Sequence, residues 1–113
     1  DIIKLQKQAR EVKVSEVIYE YIANIAEATR NNKYLVLGVS TRASLALLRV
    51  AQATALINGR DYVIPEDIKE NGVLVLSHRI TVSALAKANN YDSTSVITDI
   101  LKTVPVPRVK ENG

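Results

Sequence analysis

Residues 38–49 decide how this chain folds, and they read Gly38-Val39-Ser40-Thr41-Arg42-Ala43-Ser44-Leu45-Ala46-Leu47-Leu48-Arg49. Ser40 is a favoured helix N-cap, because its side-chain oxygen can accept a hydrogen bond from the first turn. From there an Ala- and Leu-rich pattern runs to Asn58-Gly59, which is a strong C-terminal stop. Small alanines let neighbouring helices come close, so the sequence predicts that this is the central helix of a bundle.

The stretch before this helix is also helical in pattern. Residues 2–10 are predicted to form one helix, and residues 12–14 an extended link. Ser15 is expected to cap a second helix that reaches about Arg30, with a broad apolar side that packs on two neighbours. Three acids on its other face are interpreted as a solvated surface rather than an acid–base pair: Glu16, Glu20 and Glu27.

Residues 34–39 follow as an apolar loop or short extended stretch. After the central helix, Pro65-Glu66-Asp67 starts a further helix, because proline suits the first position and the acids suit the helix dipole. Asn71-Gly72 is expected to weaken its middle, and His78-Arg79 to mark its end. Residues 80–82 have strand-like content and are candidates to pair with residues 62–64.

A last helix is expected from a cap at Asp92 or Ser93 to about Thr103, with a polar tail beyond Pro107; residues 83–91 are ambiguous. The predicted fold class is therefore mainly α, a small bundle of four to five helices with room for one short two-stranded β pairing. Residues 1–113 are expected to form one domain.

Composition excludes several classes of site. The chain has no cysteine and a single histidine, His78, so it lacks the parts of a metal cluster or a Ser/His triad. No phosphate-binding GxxxxGK[ST] loop is present, and no apolar run approaches the length of a membrane span. The net charge of +3 is spread along the chain, which disfavours nucleic-acid binding. The absence of methionine and the start at Asp1 suggest an excised piece of a longer protein, and the lack of cysteine is compatible with the reducing cytoplasm, where we expect it.

Arg42 is in an unusual place, two residues after the Ser40 cap. A cation is mildly unfavourable at a helix N-terminus, which carries partial positive charge. The same helix end with an arginine is a good seat for an anion. Arg49 follows on the same face, and two interpretations stay open: an anion site, or two arginines with packed stems and solvated heads.

Residues 38–49 resemble the sensor-2 segment of MoxR-family AAA+ ATPases, whose pattern is roughly G-A-S-P-R-A followed by a Leu/Ala helix. The resemblance continues in order over residues 59–68, 75–80 and 100–107, and over parts of residues 14–30. Thr41 stands where the family usually has proline, and Ile64 where threonine commonly caps. These departures concern helix starts and leave Arg42 untouched.

The resemblance implies that the chain is the C-terminal lid of a chaperone-like ATPase. Arg42 would be the sensor-2 arginine, reaching the γ-phosphate of ATP on a neighbouring α/β subdomain and coupling hydrolysis to lid motion. Tyr21, Ile22 and Gly38 would line the adenine side. The lid itself would be no enzyme and would bind no metal, since ATP and Mg belong to the intact parent. Expected partners are that subdomain, neighbouring subunits of a hexameric ring, and von Willebrand A-domain proteins, with no nucleic acid or membrane.

Two alternatives remain at this point. One is the lid of a related chelatase-type AAA+ ATPase. The other is a stand-alone helical interaction or DNA-binding module, which would show steep salt-dependent binding to duplex.

Overall fold

Helices form most of the framework in the computed structural model, which describes residues 1–108. Six helices and two strands follow one another in the order α1 (Ile2–Arg10), α2 (Glu16–Arg30), β1 (Leu35–Leu37), α3 (Thr41–Ile57), α4 (Pro65–Leu76), β2 (Thr81–Val82), α5 (Ala84–Ala88) and α6 (Ser93–Thr103). The predicted mainly α bundle is confirmed. It has more helices than expected, because the ambiguous residues 83–91 contribute the short α5. The predicted polar tail falls largely on residues 109–113, which lie outside the described range.

The central position predicted for α3 is confirmed, since it packs against α1, α2 and α4. Ser40 caps it as expected, and its Oγ accepts from the Ala43 N–H at 3.1 Å. Gly59 ends it with a left-handed φ of 75°, which glycine adopts without steric cost. The buried face alternates small and large side chains, so neighbouring helices approach closely; it includes Ala43, Leu47, Leu48, Ala51 and Ala55.

The expected strand pairing is wrong in its partner. Residues 81–82 pair antiparallel with β1, with Leu35 opposite Val82. Residues 62–64 instead lie beside the link between α1 and α2, where Lys13 N–H donates to the Asp61 carbonyl and Val63 N–H to the Lys13 carbonyl. This backbone edge is therefore already occupied and is not open to residues 80–82.

The weakening expected from Asn71-Gly72 does not interrupt α4, because the helix runs unbroken from Pro65 to Leu76. Asn71 Nδ2 donates to Thr54 Oγ1 at 2.9 Å and so ties α4 to α3. Gly72 is buried, and a Cβ there would lie 2.9 Å from Leu101 Cδ1. The glycine is explained by the close approach of α6 rather than by a break in the helix. The helix ends two residues before the predicted His78-Arg79.

The start of α4 shows how the chain manages without a threonine cap. Ile64 occupies the N-cap and has no side-chain acceptor. The Asp67 carboxylate accepts from the Ile64 N–H at 2.9 Å and from both terminal nitrogens of Arg60 at 2.7 Å. Asp67 is buried, so this pair fixes the connection between α3 and α4.

The cap predicted for the last helix is confirmed at Asp92, whose Oδ1 accepts from the Ser95 N–H at 2.9 Å. This bond lowers the pKa of the Asp92 carboxyl below its usual value.

Within residues 1–108, no group of three metal-ligating side chains occurs. Nor is any helix of the described range long and apolar enough to cross a membrane.

Candidate functional site

Arg42 lies in the first turn of α3 with its side chain exposed. It makes no side-chain hydrogen bond or ion pair with any other residue of the range 1–108. Arg49 differs, although it projects from the same face, because its Nη1 donates to Gln52 Oε1 at 3.0 Å. The two arginines therefore do not act as an equivalent pair, because only Arg49 is bonded to another side chain of the described residues.

The backbone around Arg42 adds positive potential. Ser40 Oγ accepts a hydrogen bond from the Ala43 N–H, and the Ser40 carbonyl accepts one from the Ser44 N–H. The N–H groups of Thr41 and Arg42 make no bond within the described residues. The first turn of α3 therefore has two N–H groups without a partner among the described residues, the positive end of the helix dipole and an arginine. This arrangement favours the binding of an anion.

The C-terminal end of α2 fixes where this point lies. Thr29 Oγ1 accepts from the Val39 N–H at 2.8 Å and donates to the Ala26 carbonyl at 2.6 Å. Arg30 Nη2 donates to the Val39 carbonyl at 3.3 Å. Sequence reasoning missed these roles, since it treated Thr29 and Arg30 only as part of a helix. The sequence did offer a signal for these roles: Thr29 and Arg30 are polar residues at the end of α2, and Thr29 lies on its apolar side.

Gly38 belongs to the same junction. A Cβ at this position would lie 2.8 Å from Thr29 Oγ1 and 2.9 Å from the Arg30 backbone nitrogen. Because one of these atoms is backbone, a larger residue would push the chain off α2. The structure thus gives Gly38 a positioning role next to Arg42, two residues before the cap.

Tyr21 and Ile22 lie differently from each other. The Tyr21 side chain is 1% exposed, and its hydroxyl is buried with no hydrogen-bond partner in the described structure. Burial, and then the nearby Glu66 carboxylate, raise the pKa of Tyr21 above its usual value. Its ring is enclosed in the core and has no open face for a ligand in this conformation.

Ile22 borders an open apolar groove of about 330 Å³ between α2 and α3. The groove begins at Thr41, directly beside Arg42, and is also lined by Leu45 and Leu48. Ile22 therefore shares this groove with Thr41, the neighbour of Arg42, whereas Gly38 lies at the junction with the end of α2 and Tyr21 lies in the core.

Residues 27–100, about two-thirds of the chain, match the AAA lid domain family. The chain belongs to this family, in the MoxR group of AAA+ ATPases. The lid is 39% identical over 107 residues to the uncharacterized protein YeaC of Bacillus subtilis, covering 95% of the lid and 33% of that protein. It is 34% identical over 118 residues to the chaperone MoxR1 of Mycobacterium tuberculosis, covering 96% of the lid and 31% of that protein.

A solved structure has the same fold. The lid superimposes on a putative ATPase from Cytophaga hutchinsonii with a TM-score of 0.82 and 36% identity. The match covers 90% of the lid and 34% of that chain. The lid thus spans about a third of the length of each of these relatives.

Proposed function

We propose that this lid closes over ATP bound to the α/β subdomain of an intact MoxR-type ATPase, with Arg42 as its sensor-2 arginine. The observation that supports the proposal is the start of α3, where Arg42 is exposed and has no side-chain bond to residues 1–108, and where two backbone N–H groups have no partner among them. Three other arginines make side-chain hydrogen bonds within the lid: Arg30, Arg49 and Arg60.

The residues present fit a terminal phosphate. A planar guanidinium can hold two phosphate oxygens through parallel N–H···O bonds, which makes it sensitive to whether that group is there. ATP, with Mg²⁺ on the other subdomain, would supply the transferable phosphoryl group. Once the phosphate has gone, Arg42 has no anion to hold and the lid is free to rotate, so hydrolysis is coupled to motion.

The groove beside Arg42 fits an apolar ring next to the phosphates. Its lining from Ile22, Leu45 and Leu48 is open on one side, as a site shared with a second subdomain requires. Gly38 contributes by allowing the close approach of the segment before α3 to α2, and Tyr21 by packing in the core on the buried side of α2. We propose the groove end at Thr41 as the adenine-facing side of the lid.

Exposed apolar side chains elsewhere fit contacts with the rest of the ATPase. Ile3 and Leu5 of α1 and Ile57 of α3 are largely exposed, and α1 has no buried residue at all. Since the relatives are about three times longer, we assign these faces to the α/β subdomain and to neighbouring subunits of a ring. The chaperone-like role and the von Willebrand A-domain partners rest on the family resemblance.

Replacing Arg42 with Ala in the intact ATPase tests the proposal. We expect ATP turnover to fall about a hundredfold or more, because a donor to the transferred group is lost. Arg79→Ala is the matched control, since Arg79 is also an exposed arginine but lies beyond the end of α4. Turnover that survives Arg42→Ala, or falls equally in both variants, contradicts the sensor role.

A further inference from the structure

Gln52 is a buried amide on the otherwise apolar face of α3. Its side chain is 3% exposed, and each of its polar atoms has a partner. Nε2 donates to the Val12 carbonyl at 2.9 Å and to the Arg10 carbonyl at 3.4 Å. Oε1 accepts from Arg49 Nη1 at 3.0 Å, which fixes the orientation of the amide.

These bonds close the C-terminal end of α1. Arg10 is the last residue of that helix, so its carbonyl has no partner within the helix. The Gln52 amide supplies the partner from 42 residues away in sequence and also donates to the carbonyl of Val12, two residues further on. A buried carbonyl is destabilising when it has no partner, so the bond from Gln52 to the Val12 carbonyl favours one position of α1 on α3.

The link between α1 and α2 is held from its other side too. Lys13 donates its N–H to the Asp61 carbonyl at 2.8 Å and accepts the Val63 N–H at 2.9 Å. Residues 10–13 are thus fixed to α3 and to the segment that follows α3. A connection held in this way cannot bend as a hinge without breaking several hydrogen bonds together.

We infer that Gln52 is a positioning residue that locks α1 to the helix carrying Arg42, so that α1 and the lid turn as one body and do not hinge at residues 10–15. The inference rests on the proposed function in one respect, the role of Arg42 toward the phosphate. The AAA lid domain match begins only at residue 27, inside α2, so it says nothing of α1. With the lock in place, the position of α1 sets where α3, and therefore Arg42, points.

Loss of the lock predicts a specific kinetic pattern. If α1 swings on α3, Arg42 reaches the terminal phosphate less often, and a misplacement of about 1 Å at a transferred group can cost up to a hundredfold in rate. ADP lacks the γ-phosphate that Arg42 would bind, so the affinity for ADP is expected to stay unchanged. A general loss of folded protein would instead lower turnover and ADP binding capacity together.

Distance measurements on this chain test the lock directly. The chain has no cysteine, so Gln8→Cys and Asn24→Cys place spin labels only on α1 and α2, at exposed positions. We expect a narrow distance distribution that broadens when Gln52→Met removes the donors while keeping the side-chain length. Asn71→Leu is the control, because it also removes a partly buried amide that donates to α3, but this amide belongs to α4 and does not contact α1. Gln52→Glu, which keeps the bond from Arg49 and loses both donors, is expected to act like Gln52→Met and replaces it if that variant does not fold.

Turnover in the intact ATPase supplies the second arm. Gln52→Met is expected to lower the turnover number about tenfold with the ADP dissociation constant unchanged. A distribution that stays narrow without Gln52 overturns the lock. Broadening with unchanged turnover overturns the positioning role, even where Arg42→Ala still abolishes activity. If Arg42→Ala itself leaves turnover intact, the proposed function fails, and the positioning role is overturned with it.

Discussion

The buried carboxylate of Asp67 shows how much a single residue can contribute to this lid. Arg60→Ala removes both guanidinium bonds and leaves that carboxylate without its counter-ion. We expect the free energy of unfolding to fall by about 3 kcal/mol, because an unpaired buried charge is costly. Urea unfolding followed by circular dichroism measures it.

The matched control is Lys13→Ala, which removes the other ion pair of the described residues. Lys13 lies 4.0 Å from Asp61, and both side chains are 80% exposed. Such a pair contributes at most about 1 kcal/mol. Equal losses in the two variants would show that burial of Asp67 does not set the strength of its pair.

Tyr91 gives a prediction in alkaline solution. Its hydroxyl donates to the Asp99 carboxylate, and this bond, with some desolvation, raises the pKa of Tyr91 to about 12. The unfolded chain has a tyrosine pKa near 10. The stabilisation is therefore fully present below about pH 10 and is lost as pH rises through about 12.

We expect absorbance titration of tyrosinate to show late titration from Tyr21 and Tyr91, whose pKa values are both raised, and Tyr91→Phe to remove the part that belongs to Tyr91. The difference in unfolding free energy between the two proteins should shrink from pH 9 to pH 12. Tyr19→Phe is the control, since Tyr19 is 53% exposed. A late component of unchanged amplitude in Tyr91→Phe would contradict the assignment.

The contact between α4 and α6 makes a prediction for whole elements. Gly72→Ala should gain about 1 kcal/mol in helix propensity, but its Cβ would meet Leu101 Cδ1 at 2.9 Å. Because Leu101 is itself buried, we expect a net loss of about 1 kcal/mol from overpacking. In a Leu101→Ala background the same substitution should become stabilising. A double-mutant cycle measures this, and equal effects in both backgrounds would contradict close packing as the reason for the glycine.

Which elements could be predicted from the sequence follows from the range of the forces that form them. The Ser40 and Asp92 caps are local, so α3 and α6 start where the sequence predicts. The partner of residues 81–82 depends on which distant edge is already occupied, and the Lys13 bridge to Tyr62 decides that only in the folded chain. Gly72 was misread because its reason, Leu101, lies on another helix.

The candidate site divides in the same way. Arg42 could be identified because a cation at a helix start conflicts with a local rule and because the family resemblance covers it. Thr29 and Gln52 could not, since their partners lie 10 and 40 or more residues away. Tyr21 was expected beside the ligand, but its ring lies in the core. The apolar face of α2 is broad, so the periodicity of the sequence does not distinguish a core position from one at the edge of a ligand site.

At the scale of the whole molecule, the start of α3, where we propose the anion site, is connected to α1 and α2 by packing and hydrogen bonds. The junction of α2 with Gly38 and Val39 fixes α3 at its start, and Gln52 fixes α1 to its later turns. Under the proposed role of Arg42, a change at the terminal phosphate would reach α1 through α3, and the loss of that phosphate would turn both helices together.

The most direct measurement of the central claim is the preference of the intact ATPase for triphosphate over diphosphate, with and without Arg42. Dissociation constants for a nonhydrolysable ATP analogue and for ADP are measured by calorimetry in wild type and Arg42→Ala. The account predicts that affinity for the triphosphate falls about tenfold or more while affinity for ADP is unchanged. An equal loss of affinity for both nucleotides, or no loss for either, would contradict a contact between Arg42 and the γ-phosphate.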